Sequence, residues 1–222
     1  IVAEALTQPA FDPKEFDELR RENLARLEEQ KSEPVALGSI AFSRYVNPWP
    51  KGHPRYTPTL DEQVADYTTL TLADARKYYD DFYGASNAEL AIVGDFDQAA
   101  VAKQVADLFG SWKSAQPFVR VRNVYRDRPA TTVSIETPDN ANAFFLGGMN
   151  IPVRDDDPSY PALVLGNYML GGGFLNSRLA TRIRQKEGIS YGVGSGLSAA
   201  PQDSAGMFQA YAIYAPENVA RL

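Results

Sequence analysis

Cysteine is absent from the 222-residue sequence, and histidine occurs only once, as His53. Without cysteine the chain can hold no disulfide bridge, no thiolate metal site and no cysteine nucleophile. A zinc site would then need at least three histidine or carboxylate ligands, and a serine–histidine relay would depend on the same single histidine. Since His53 stands beside Pro54 in a proline-rich stretch, we expect it to pack within a loop. We therefore predict no catalytic residue and no metal ligand in this chain.

Long apolar runs and a recognisable signal peptide are also missing, so no membrane-spanning helix is expected. The net charge is −6, and no basic stripe with interleaved aromatic residues occurs, which argues against nucleic acid as a partner. Hydrophobic residues make up 44% of the chain, and this share is sufficient for a sizeable core. The composition is compatible with either the cytoplasm or the periplasm.

Both ends of the sequence look interrupted. The chain begins with Ile1 rather than methionine, and its last residues, Pro216 to Leu222, resemble the first turn of a helix. We therefore expect a truncated protein or a proteolytic fragment.

Hydrophobic periodicity, helix caps and chain breakers predict a succession of helices and strands. Helices are predicted over residues 12–30, 34–46, 59–64, 71–83, 97–112 and 158–170, and from the triple glycine to about residue 186. Strands are predicted over residues 88–93, 119–125, 131–137, 143–150, 190–197 and 204–214. This order indicates an α+β fold in which a mostly antiparallel sheet is packed with helices, and residues 114–118 are typical of a linker.

Acidic residues and glycines that suggest a catalytic centre have simpler interpretations. The acidic run 155–157 precedes Pro158, where negative charge compensates a helix start. Asp95 and Asp97 are suited to a turn and a helix cap. The triple glycine that begins at Gly171 lacks the lysine of a phosphate-binding loop and follows a helix rather than a strand. We interpret it as a sharp chain reversal with close backbone packing.

The segment Gly171–Gly196 is the part of the sequence to which we assign function. A helix with cationic residues near its end stops at Gly188 and leads into a strand that starts at Ser190. Arg184 could hold a carbonyl or carboxylate, and Tyr191 could hydrogen-bond a substrate backbone or an oxyanion. The alternative is that Arg184 only complements the helix dipole and Tyr191 packs in the sheet.

The sequence of this segment resembles a known signature. It reads Gly-Gly-Gly-x-x-x-Ser-Arg-Leu-x-x-x-Ile-Arg-x-Lys-x-Gly-Ile-Ser-Tyr-Gly-Val. It is similar to the second domain in each half of pitrilysin/insulinase-type metallopeptidases, the inverted-motif zinc enzymes that include the mitochondrial processing peptidases. The stretch from Leu72 to Asp97, which contains Val93-Gly94-Asp95, resembles the family's other marker, a helix and strand ending in Val-Gly-Asp. Both markers occur in the expected order, and the resemblance covers nearly the whole chain.

The resemblance implies a processing-peptidase-like metallohydrolase fold in a fragment that spans parts of two related domains. Residues 1–115 would form the later part of one domain, and residues 116–222 the earlier part of the next. In that family two halves close around an extended peptide, and an arginine and a tyrosine seven residues apart reach the substrate at the zinc. Arg184 and Tyr191 match this pair, so the resemblance predicts them as substrate-binding residues.

The zinc motif His-x-x-Glu-His is absent, so the resemblance places zinc in a partner half, in the same chain or in another subunit. The chain is most similar to the zinc-free C-terminal half of long bacterial members, which favours an inactive fragment of a periplasmic protein. Two alternatives stay open. One is a structural or assembly subunit, like the core proteins of the respiratory bc1 complex. The other is the zinc-binding half cut after its motif, in which Glu22 and Glu29 would match the family's glutamates; a second alignment puts Glu18 and Ala25 there.

Overall fold

Local sequence signals set the starts of several helices. The computed structural model describes residues 1–222 and contains seven α-helices: α1 (Val2–Thr7), α2 (Pro13–Gln30), α3 (Pro34–Val46), α4 (Leu60–Thr69), α5 (Leu72–Phe82), α6 (Gln98–Phe109) and α7 (Tyr160–Asn167). Helix α5 begins with a reciprocal cap, because the Asp74 amide donates to the Thr71 hydroxyl at 3.2 Å and the Thr71 amide donates to the Asp74 carboxylate at 2.9 Å. The Thr71 hydroxyl, followed by its backbone N–H, lowers the pKa of the Asp74 carboxyl.

Three antiparallel strands form the sheet: β1 (Ala143–Ile151), β2 (Ser190–Ser198) and β3 (Gly206–Tyr214). The order β1-β3-β2 places β3 in the centre, where it pairs along its length with both neighbours. Alternation along β3 buries Ala212 and Tyr214, while Tyr211 and Ile213 are more than a third exposed. The sheet therefore has one packed face and one face that is more open to solvent.

The chain divides into two compact units, one formed by Ile1–Ala25 with Val64–Arg120 and the other by Arg26–Gln63 with Val121–Leu222. In the first unit, the Tyr79 hydroxyl donates to the Leu6 carbonyl at 2.7 Å and the Tyr79 ring packs edge-on against Phe11. All buried apolar side chains lie in the second unit: Leu27, Val46, Leu60, Ala180, Ile189, Ala212 and Tyr214. The buried core therefore lies in the unit that contains the sheet.

Three of the predicted strands are wrong. Residues 88–93, 119–125 and 131–137 lie in no strand, and Val93 and Val133 are exposed. A strand requires a partner for its backbone groups, and none of β1, β2 and β3 pairs with these segments. In the second of them the Arg55 guanidinium binds the Val121 and Arg122 carbonyls at 2.7 and 3.1 Å, so a side chain takes the place of a strand partner.

The other predicted elements are found with shifted ends. Helix α4 continues to Thr69, beyond the predicted end, and the helix that was predicted to reach residue 170 is α-helical only to Asn167. It then widens into a π-helical turn, Tyr168–Gly172. The helix predicted to follow the triple glycine begins later in the sequence than expected, and it is the π-helical segment Ala180–Lys186. None of these helices combines the length and the apolar character that a membrane crossing requires.

Close backbone packing explains why Gly171, the first residue of the triple glycine, has to be glycine. A Cβ atom added to Gly171 would lie 2.4 Å from the Ser195 amide nitrogen on β2 and 2.5 Å from its hydroxyl oxygen. The Ser195 hydroxyl in turn donates to the Asn167 side-chain oxygen at 2.7 Å. The end of α7 is therefore held against β2 at a distance that only glycine permits, as expected from the sequence.

A carboxylate at the start of α4 anchors the loop that carries His53. Glu62 accepts hydrogen bonds from the Thr59 amide at 2.9 Å, the Tyr56 hydroxyl at 2.7 Å and the Lys51 ammonium at 3.0 Å. These three donors, led by the Thr59 backbone, lower the pKa of Glu62 from 4.5 to about 2. Arg44 joins the network through the Tyr56 hydroxyl at 3.0 Å.

The substitution Gly171→Ala is expected to destabilise the chain by about 1–3 kcal/mol, because the new methyl group meets the backbone of β2. Gly166→Ala is the matched control, since a Cβ added to this glycine of α7 meets nothing within 4 Å. It should stabilise the chain by about 0.4–1 kcal/mol. Urea denaturation of both variants measures the two effects, and equal effects of the two substitutions would contradict the packing described here.

The substitution Glu62→Gln should lower stability at neutral pH and should lose its effect in acid. Since the folded-state pKa of Glu62 is depressed to about 2 from 4.5, the carboxylate stabilises the fold above pH 4.5. That contribution disappears as the pH falls through 4.5 towards 2. Denaturation of both proteins between pH 2 and 7 measures the difference, with the exposed Glu217→Gln as the control. A difference that is constant across this range would refute the assignment.

Candidate functional site

Arg184 and Tyr191 are in contact at the beginning of β2. The Arg184 guanidinium carbon lies over the Tyr191 ring, 4.3 Å from its centroid, which is within the range of a cation–π interaction. Arg184 is half-buried at the end of the π-helical segment, and Tyr191 is 82% exposed. The two sequence-predicted site residues are therefore in direct contact, and Tyr191 does not pack within the sheet.

The polar atoms of this pair are unused. No hydrogen bond or ion pair within residues 1–222 engages the Arg184 guanidinium or the Tyr191 hydroxyl. A guanidinium carries five N–H donors around its edge, and stacking on a ring occupies only its face. The phenol adds a group that both donates and accepts. Together they offer a fixed set of donors to a carbonyl or carboxylate.

A glycine turn brings the arginine above the strand. Gly188 has φ +65°, a left-handed conformation that ends the helical segment, and the next residue, Ile189, is buried at 6% exposure. Beside the turn, Glu187 pairs with Arg182 and with Arg221, each at 2.9 Å. The charge of Arg182 is thus neutralised by the Glu187 carboxylate. Arg184, on the same π-helical segment, has no such carboxylate partner.

Tyr191 occupies an irregular position in β2 that the sequence does not reveal. In the pairing of β2 with β3, Ser190 faces Tyr214 and Gly192 faces Ile213, so Tyr191 is an extra residue in a β-bulge. The Ser190 side chain is 5% exposed, and its hydroxyl lies 2.7 Å from the Ile213 carbonyl oxygen. Sequence analysis missed Ser190, and the only available signal was a small polar residue directly before the tyrosine.

The single histidine is part of a packed loop. The His53 ring stacks on Trp49 with 4.0 Å between centroids, and its Nδ1 accepts the Arg55 amide at 3.0 Å. Among residues 1–222 no three histidine, cysteine, aspartate or glutamate side chains are placed to hold one metal ion. Glu22 and Glu29 are exposed on α2. The residues present therefore do not fit a zinc site.

The acidic residues make short-range contacts at a helix start and in a turn. Asp97 accepts the Ala100 amide at 2.9 Å at the start of α6. Asp157 accepts the Ser159 hydroxyl at 2.6 Å and its amide at 2.8 Å, and these two donors, the hydroxyl first, lower the pKa of Asp157. Asp156 pairs with Arg154 at 2.6 Å. The Asp97 cap is expected from the sequence. The run 155–157 lies in a turn before α7, which begins at Tyr160 with Ser159 as its N-cap, so Asp157 closes this turn and does not cap the helix.

The chain matches one family model and several known proteins. The model for the peptidase M16 inactive domain matches residues 69–222. An uncharacterized zinc protease of Streptomyces coelicolor is 31% identical over 161 residues, which are 70% of this chain and 34% of that protein. This chain thus spans about a third of the length of that curated relative.

Solved structures show the same fold. The peptidase M16 inactive domain from Pseudomonas fluorescens superposes with a TM-score of 0.76 at 26% identity, covering 97% of this chain and 50% of that one. The periplasmic protease PqqL from Escherichia coli gives a TM-score of 0.68 at 19% identity, covering 95% of this chain and 22% of that one. The predicted α+β fold and the resemblance to the inverted-motif zinc peptidases are confirmed. The chain belongs to the peptidase M16 family, and it matches the inactive-domain model of that family over more than half of its residues.

Proposed function

We propose that this chain is the non-catalytic half of a zinc metalloendopeptidase, and that it completes a chamber for an extended peptide. The observation that carries the proposal is the stack of Arg184 on the exposed ring of Tyr191. Both side chains keep all their hydrogen-bonding groups free, in a chain whose residues do not fit a metal site. The family match to an inactive domain supports the same division of roles.

In the proposed complex Arg184 and Tyr191 hold the peptide while the partner half supplies zinc. Arg184 offers N–H donors to a peptide carbonyl or carboxylate, and Tyr191 donates to the carbonyl that gains charge during cleavage. Zinc in the partner half would activate the attacking water. The relative in Streptomyces coelicolor is named a zinc protease, which is consistent with that arrangement.

The peptide itself would bind as an additional strand. The order β1-β3-β2 leaves one edge of β1 and one edge of β2 without a strand partner, and an extended peptide can bind such an edge through its main chain. The partner half would belong to the same polypeptide or to a second subunit. We propose the periplasm as the compartment, since the resemblance to long bacterial members and to a periplasmic protease is compatible with export.

Arg184→Ala and Tyr191→Ala, made in the full-length protein with its zinc-binding half, should each lower kcat/KM for an unfolded peptide by about 10- to 100-fold. We expect this loss because each substitution removes a hydrogen-bond donor to the peptide carbonyl. Cleavage of a fluorogenic peptide measures the effect. Arg182→Ala is the control, because Arg182 lies on the same helical segment but pairs with Glu187, and it should change kcat/KM by less than about threefold. Unchanged turnover in the Arg184 and Tyr191 variants would remove the site.

The metal content of the same full-length protein separates the remaining alternatives. Glu22→Gln and Glu29→Gln should leave the zinc bound per molecule unchanged, because both glutamates are exposed on α2 and belong to no ligand cluster. Elemental analysis after dialysis measures this. Loss of zinc in the Glu29 variant would identify this chain as the zinc-binding half. A zinc-loaded full-length protein that cleaves no unfolded peptide would favour the structural or assembly subunit.

A further inference from the structure

Tyr191 owes its exposure to the β-bulge in β2. Side chains alternate between the two faces of a regular strand, and an inserted residue interrupts this alternation and turns a side chain in a new direction. Before the bulge Ser190 is 5% exposed, while Tyr191 itself is 82% exposed. If the register of residues 192–198 continued without the bulge, Tyr191 would pair with Tyr214, whose side chain lies on the packed face. The inserted residue instead gives that place to Ser190 and leaves Tyr191 in solvent.

The Ser190 hydroxyl contacts backbone groups on both sides of the β-bulge, where the pairing of β2 with β3 is interrupted. Its oxygen lies 2.7 Å from the carbonyl oxygen of Ile213 on β3 and 3.1 Å from the carbonyl oxygen of Gly192, on the other side of the bulge. The residue that pairs with Gly192 is Ile213. A bulge leaves ladder groups without their regular partners. The single hydroxyl proton of Ser190 is within reach of both carbonyl oxygens and can be donated to either one where the ladder is broken.

The Arg184 guanidinium lies above the ring that the bulge turns outward, 4.3 Å from the ring centroid. The stack depends on the direction of Tyr191, because the register of residues 192–198, continued without the bulge, would place Tyr191 opposite Tyr214 on the packed face. We infer that Ser190 is a positioning residue: by holding the bulge, its buried hydroxyl directs Tyr191 towards Arg184 and the peptide. This inference rests on the proposed function and names a residue that acts through Tyr191 without contacting the substrate.

A simpler role for Ser190 is the satisfaction of a buried polar group, and β2 offers a control for that role. Ser195 lies on the same strand, is 9% exposed and makes one hydroxyl hydrogen bond, to Asn167 at 2.7 Å. It does not contact the bulge. Ser190→Ala and Ser195→Ala therefore each remove one buried hydroxyl from β2, and only the first removes the contact that spans the bulge.

The test is a double-mutant cycle in the full-length protein with its zinc-binding half, at a temperature at which every variant is folded by circular dichroism. Ser190→Ala should lower kcat/KM for an unfolded peptide about 5-fold or more, and it should have no further effect in the Tyr191→Ala background. Ser195→Ala should leave kcat/KM near that of the unchanged protein. Ser190→Cys, which keeps a weak donor at the same place, should recover part of the loss.

The outcomes separate this inference from the function on which it rests. If Tyr191→Ala lowers turnover and Ser190→Ala does not, Ser190 has no positioning role and the proposed function stands. Equal losses in Ser190→Ala and Ser195→Ala, or a loss from Ser190→Ala that persists at full size without Tyr191, assign Ser190 to stability alone. If neither Tyr191→Ala nor Arg184→Ala changes turnover, the proposed function fails and the positioning role fails with it.

Discussion

The pairing of β3 with strands on both of its sides is the constraint on which the rest of the second unit depends. A central strand has its backbone groups satisfied at both edges, so its register fixes the neighbours residue by residue. The burial of Ala212 and Tyr214 holds that register, since a slip by one residue would expose both side chains. Because β3 is regular, the extra residue in β2 has to be accommodated on the β2 side, and that residue is Tyr191.

A second close contact lies further along β2, at Ser195. Gly171 approaches the Ser195 backbone closely enough to exclude any side chain, and the Asn167–Ser195 hydrogen bond reinforces this contact. The chain leaves this point through the π-helical segment and returns into β2 through the left-handed turn at Gly188. The eight residues from Arg184 to Tyr191 therefore run from the π-helical segment into the first residues of β2.

The sequence predicted well those features that depend on neighbouring residues. The starts of α2, α3 and α5 are set by such neighbours, and each lies within one residue of the predicted start. The predicted close packing at Gly171 is also found, although its partner, Ser195, is distant in sequence. The strand at residues 88–93 was wrong because hydrophobicity cannot supply a partner for the backbone. For the site, the residues were predicted but their contact was not, since the ring's direction depends on a bulge that arises only when β2 pairs with β3.

The hydrogen-bond donors of Arg184 and Tyr191 are the ones in this chain that are suited to binding a carbonyl or carboxylate. Its only histidine is engaged by Trp49 and by the Arg55 amide. Asp97 is occupied as a helix cap, and Asp157 accepts from Ser159 in a turn. Arg184 and Tyr191 differ because their donors are free while their positions are fixed by contact with each other. A guanidinium stays charged at any physiological pH, so such a pair needs no metal and no proton transfer to bind a carbonyl. What it needs is a fixed direction, and for Tyr191 that direction follows from one inserted residue beside a buried serine hydroxyl.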